Sequence, residues 1–219
     1  MKLSKRLQAI ANYVNGFHSL ADIACDHGYL GIYCALNYEL DEVLLTDINN
    51  MPLESAMRNC QLYQVDQIVK TALGDGLAPL KKCYDVISIS GIGANLMVNI
   101  LKQDLEKAKS AKRLILSANN DVKLLREFLM NNRFEIIAEE MVYDYKYYEI
   151  IVCKPTDEKL NYTDLEIKYG PYLIKEKSAN YQNYYHNLLS LLVQQAENVC
   201  NEEAKFKLLE RIKEIESII

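Results

Sequence analysis

Apolar residues recur along the chain with two alternating periods. Leu3, Leu7, Ile10 and Val14 fall at i, i+4, i+7 and i+11, one stripe of a helix, and Asn15-Gly16 closes it. The short apolar run from Ser19 to Cys25 predicts a buried strand, followed by a turn at Asp26-His27-Gly28 and a helix from Tyr29 to Asn37. The alternation continues with a strand from Glu42 to Asp47, a helix from Pro52 to Gln64 and a strand from Ile68 to Leu73. Next come a strand from Tyr84 to Ser90, a helix from Asn95 to Lys107, a strand from Arg113 to Ser117 and a helix from Asp121 to Asn131. Strands that are apolar almost throughout must be covered on both faces, which predicts a parallel sheet in a doubly wound α/β domain.

The pattern then changes twice. The runs from Phe134 to Tyr143 and from Lys146 to Cys153 are joined by a short polar link with no helix between them, so they predict an antiparallel hairpin at the sheet edge. Beyond Pro155, Thr163 and Glu166 form a capping box that starts a short helix, and Gly170-Pro171 is expected to end it. Tyr181, Tyr184, Leu188, Leu192, Ala196 and Val199 keep helical spacing; after Asn201, a candidate N-cap, so do Ala204, Leu208, Ile212, Ile215 and Ile219. Two stripes across a tight turn predict a helical hairpin, and the chain divides into residues 1–155 and 156–219.

Composition narrows the class. Of the 219 residues 50% are hydrophobic and 25% charged, with 8 Gly and 4 Pro, so a core can form and disorder is excluded. No run approaches the roughly 20 apolar residues of a spanning helix, and no signal core follows Met1, so no membrane partner and a cytoplasmic location are expected. The six cysteines are scattered without a Cys-x-x-Cys pair, which suggests neither a metal site nor a disulfide framework. The net charge is −5; from Thr156 onward 8 basic residues stand against 11 acidic ones, and 17 against 19 before it. A nucleic-acid partner therefore needs a local basic patch.

In an open parallel sheet, ligands bind at the carboxyl ends of the strands, so chemistry is sought there. The first end, Asp22-Ile-Ala24-Cys25-Asp26-His27-Gly28-Tyr29, offers a Gly for close backbone approach but lacks the Gly-x-Gly-x-x-Gly of a dinucleotide cradle. The second, Asp47-Ile48-Asn49, places an acid where ribose hydroxyls are bound. The third, Gly74-Asp75-Gly76, sets a carboxylate between flexible positions. The fourth, Ser90-Gly91-Ile92-Gly93, leaves room for a planar base. Tyr143, Tyr145, Tyr147 and Tyr148 read first as edge-strand residues and second as a stacking platform.

Leu3-Ser-Lys-Arg-Leu, Asp22-Ile-Ala-Cys-Asp-His-Gly-Tyr-Leu, Gly74-Asp-Gly-Leu, Ser90-Gly-Ile-Gly, Leu114-Ile-Leu, Lys146-Tyr-Tyr-Glu-Ile and Tyr169-Gly-Pro together resemble the bacterial tRNA (adenine-N1)-methyltransferases called TrmK. The likeness runs over nearly the whole chain. It implies a class I methyltransferase Rossmann-like domain, S-adenosylmethionine as donor with S-adenosylhomocysteine as product, tRNA as substrate methylated at adenine 22, and a C-terminal coiled-coil hairpin. The chain has Ser117-Ala118-Asn119 where that family usually has Gln-Pro-Asn. On this resemblance Asp22, Ala24, Cys25, Asp26, Gly28, Tyr29, Asp47, Ile48, Asn49, Gly74, Asp75, Gly76, Ser90 and Gly91 are expected at the donor. Asp26 is expected to accept the proton released at the base, with His27 second and Tyr29 on either the donor or the base. Lys2, Lys5, Arg6 and Arg58 are candidates for RNA contact, and no metal is expected. Two alternatives stay open on the residues alone: a methyltransferase acting on a small molecule or protein, and a silent scaffold of the same fold.

Overall fold

Ser4 sets where the chain's first helix begins: its backbone is extended and its hydroxyl accepts from the Leu7 N–H. The computed structural model describes residues 1–219. The elements are α1 (Lys5–Asn12), β1 (Ser19–Ile23), α2 (Tyr29–Asn37), β2 (Glu42–Asp47), α3 (Asn50–Leu62), β3 (Val69–Leu73), β4 (Val86–Ser90), α4 (Ala94–Gln103), α5 (Leu105–Ser110) and β5 (Arg113–Ser117). They continue with α6 (Val122–Asn131), β6 (Phe134–Asp144), β7 (Lys146–Pro155), α7 (Asp164–Tyr169), α8 (Pro171–Glu176), α9 (Ala179–Asn198) and α10 (Glu202–Glu216).

The sheet order is β3-β2-β1-β4-β5-β7-β6, parallel through the first five and antiparallel at both pairings of β7. This is the class I methyltransferase arrangement expected from the sequence. Strand order reverses between β1 and β4, where Asp22 stands beside Ser88. Alternation along each strand feeds two cores. Ala21, Ile23, Ile87 and Leu116 meet Met97, Leu101 and Leu125 on one face. On the other, Leu20, Leu45, Val86 and Ile115 meet Ile10, Ile32 and Leu53. Each fully buried aliphatic side chain contributes about 1.5–3 kcal/mol.

Three local expectations are corrected. β1 stops at Ile23 instead of Cys25, because Ala24 and Asp26 adopt φ of +55° and +52° and turn the backbone out of the sheet. The helix expected from Asn95 to Lys107 breaks at Asp104, whose φ of −128° and ψ of 50° are not helical; Lys107 on α5 donates to the carbonyls of Leu77 and Ala78. Gly170-Pro171 ends α7 but also opens α8, since a proline at the first helical position gives up an N–H that needs no partner. A Cβ at Gly170 would lie 2.6 Å from Glu139 Oε2, and its φ is +90°, so glycine is required there.

That glycine sits against a buried ion cluster. Arg126 on α6 is fully buried, donates to Glu139 on β6 at 2.7 Å and also pairs with Glu149 on β7. Glu139 also accepts from the Tyr172 N–H on α8 at 2.9 Å, so the cluster joins sheet, helix layer and C-terminal segment. The capping box at Thr163 and Glu166 and the Asn201 cap both form as expected. α9 and α10 pack as a hairpin through Tyr181, Tyr185, Leu192, Ile212 and Ile215, and this cluster takes in Met141 of β6, which seats the hairpin on the sheet edge. No helix is long and apolar enough to cross a membrane.

Candidate active site

The ends of β1, β2, β3 and β4 open into one cavity of about 430 Å³, within the usual range of about 300–1,000 Å³ for small-molecule sites. Of the residues singled out at strand ends, Ala24, Asp26, Asp47, Ile48, Asn49, Gly74, Asp75, Gly76, Ser90 and Gly91 lie in its wall. The loops are stitched together by backbone bonds. The Cys25 N–H donates to the Thr46 carbonyl at 2.9 Å, and the Gly74 N–H to the Asp47 carbonyl at 3.0 Å. Asp47 Oδ1 accepts from the Asn49 N–H at 2.9 Å, which orients a nearly buried carboxylate. Gly76, at φ +51°, packs so close to Ile100 that a Cβ would meet it at 3.0 Å.

Charge tells which ligands this wall accepts. Asp26, Asp47 and Asp75 line it and no Lys, Arg or His does. Three carboxylates favour a cation and repel a pyrophosphate, while Ile48, Ile92, Leu96 and Ile100 offer apolar surface to an aromatic ring. Such a wall fits a sulfonium compound that carries an adenosine, such as S-adenosylmethionine.

Four residues expected at the donor are not in the wall. Asp22 is buried at the switch in strand order, and burial pushes its carboxyl up to about 7. Cys25 is buried, and burial raises its thiol, so it carries no thiolate chemistry. At Gly28 the close approach is to the protein itself, since a Cβ would lie 2.6 Å from Leu45 Cδ1 and 3.0 Å from Ala56 Cβ. Its left-handed backbone also starts α2. Helix-on-strand packing therefore requires a glycine here by itself. Tyr29 is 43% exposed, with its ring 5.6 Å from that of His27. His27 stands behind Asp26: Nε2 lies 3.5 Å from Asp26 Oδ1, and Nδ1 lies 2.9 Å from Ser55 Oγ on α3.

Among the RNA candidates, Arg6 alone is brought to the cavity rim. Its guanidinium lies 4.7 Å from the Tyr148 ring centroid, its backbone N–H donates to Asp144, and a Cβ on Gly91 would sit 3.8 Å from one of its nitrogens. Lys2 and Lys5 are exposed beside it in the chain, and Arg58 is exposed on α3. Sequence reasoning missed Thr46, Pro52, Leu96 and Ile100 as wall residues. The i, i+4 spacing of Leu96 and Ile100 after the fourth strand end was the signal available for those two. Nothing in the sequence tied Arg6 to Tyr148, 142 positions apart.

Comparison with known proteins places the chain in a family. The methyltransferase domain family matches residues 3–151. A Bacillus subtilis tRNA (adenine(22)-N(1))-methyltransferase is 31% identical over 232 aligned positions, covering 100% of this chain and 98% of the relative. The crystal structure of the B. subtilis m1A22 tRNA methyltransferase TrmK is similar with a TM-score of 0.83 and 30% identity, covering 100% of this chain and 99% of that one. M. capricolum TrmK, in complex with S-adenosyl-homocysteine, is similar with a TM-score of 0.84 and 28% identity over 99% of this chain and 97% of that one.

Proposed function

The chain belongs to the tRNA (adenine(22)-N(1))-methyltransferase family, and from that premise we propose that it transfers a methyl group from S-adenosylmethionine to N1 of adenine 22 in the tRNA D arm. The observation that carries the reading is the wall at four strand ends with Asp26, Asp47 and Asp75 and no basic residue. The bound donor supplies an electrophilic methyl group on a cationic sulfur. Asp47 takes the ribose hydroxyls, Asp75 the adenine amino group, and Ile48 and Leu96 sandwich the ring. Asp22, beneath the loop, complements the donor's ammonium group when ionised.

Adenine N1 is neutral and lies on the Watson–Crick edge, so the base must leave its stack before it reacts. Holding it in line with the departing sulfur contributes several kcal/mol to barrier lowering. The product ring is cationic until its N6 amino group loses a proton. Asp26, in the wall and largely exposed, stabilises that charge and accepts the proton; His27, fixed by Ser55, orients the Asp26 carboxylate. Tyr29 is assigned to the base side, Lys2, Lys5, Arg6 and Arg58 to RNA phosphates, and residues 156–219 to holding the tRNA.

Methyl transfer to tRNA transcripts tests the reading. Label enters the transcript with adenine 22 and fails to enter one in which that adenine is replaced. Equal labelling of both overturns the assignment.

A further inference from the structure

Asn119 links the walls of two cavities. Its amide donates to the Gly91 carbonyl at 2.6 Å and its backbone N–H to the Ile92 carbonyl at 2.9 Å, and Gly91 and Ile92 both line the donor cavity beside β4. On its other side it lines a second cavity of about 330 Å³, between the start of α6, the hairpin β6–β7 and the C-terminal helices. Tyr147, Tyr148 and Tyr184 contribute to its walls, and the rings of Tyr147 and Tyr184 stand 5.1 Å apart. Tyr148 carries cations as well: Arg6 at 4.7 Å and Lys146 at 4.8 Å from its centroid.

The chemistry of these walls selects a ligand class. Aromatic side chains with neutral amides from Asn119 and Asn120 match a nucleobase, which stacks through its face and is read at its edge. Lys123 is paired with Glu127 and Lys168 with Glu214, so neither wall lysine is free to hold a phosphate. The Asn119–Gly91 bond stands between an occupant of this cavity and the donor cavity. A base seated here is therefore not the one that is methylated.

We propose that the second cavity receives another base of the same tRNA, a neighbour of the methylated adenine that leaves the stack with it and rests on Tyr148. The proposal builds on the tRNA reading above. A parked neighbour removes the stacking partner that would draw the target base back, and it links Arg6, at the rim of both cavities, to the nucleotide between them.

Equilibrium binding of full-length protein to tRNA transcripts carrying a single abasic site at each position flanking the target tests this. One such transcript binds the wild-type protein about tenfold more weakly than the intact one, the size of one lost base–aromatic stack. Tyr148→Leu abolishes that penalty, because the stack is already gone, while Tyr148→Phe retains it. Asn120→Trp, which fills the cavity from an exposed position, abolishes it too and serves if the leucine variant fails to bind the donor in calorimetry. Penalties that are the same in every variant, or absent from the wild type, overturn the proposal. A protein that labels adenine 22 but shows no such coupling refutes the second base alone; one that labels no adenine 22 refutes the reading beneath it.

Discussion

The two cavities are built in opposite ways. The donor cavity takes its walls mostly from loops that directly follow β1, β2, β3 and β4, so each wall segment is the next few residues of a strand. The cavity behind Asn119 draws on residues around 120, around 148 and near 168 and 184, which meet only when β7 inserts between β5 and β6 and the helical hairpin lands on Met141. The first is acidic and the second is balanced in charge. On the proposed reading, donor chemistry comes with the topology of the parallel sheet, and acceptor recognition with what is appended to it.

The sharpest break between the two regions is expected at Asp26. Asp26→Ala lowers turnover by about 10²–10⁴-fold while donor binding stays measurable by calorimetry. Collapse of donor affinity instead places Asp26 in donor binding. Next comes the buried ion cluster that meets the second cavity through Glu149, where Arg126→Met strands the carboxylates of Glu139 and Glu149. The cost is about 3–5 kcal/mol, a fall in Tm on the order of 10 °C for a chain this size. A thermal scan that shows no shift refutes the structural role of the cluster.

Asp22 separates the regions by pH. Its folded carboxyl sits at about 7 against an ordinary 3.8, with burial as the cause. The folded state keeps the proton that the unfolded chain has already released, so the contribution of Asp22 to stability falls as pH rises from about 4 to about 7 and is level above that. Asp22→Asn removes this loss: the variant melts higher than wild type at pH 8, and the gap closes towards pH 4. A gap that does not vary with pH rules out the buried acid as its source. The smallest effect is at Arg6. Arg6→Ala weakens tRNA binding and lowers the slope of log affinity against log salt by about one phosphate contact, with donor affinity unchanged. An unaltered slope means that Arg6 serves Tyr148 and not the RNA backbone.

The sequence alone determined the order of strands and helices, the antiparallel ending, the helical hairpin and the acidic strand ends, because each depends on local periodicity or on residues adjacent to a strand terminus. Asp47 and Asp75 were legible for that reason. The packing of Gly28 was not legible, because its neighbours Leu45 and Ala56 arrive from β2 and α3, and no spacing within its own loop reveals them. Only the tertiary structure decided that Arg6 meets Tyr148 at the rim of Gly91, that Arg126 is neutralised by Glu139 and Glu149, and that a second cavity closes behind Asn119. Those contacts join residues from 13 to more than a hundred positions apart, and periodicity carries no record of which distant faces packing will bring together.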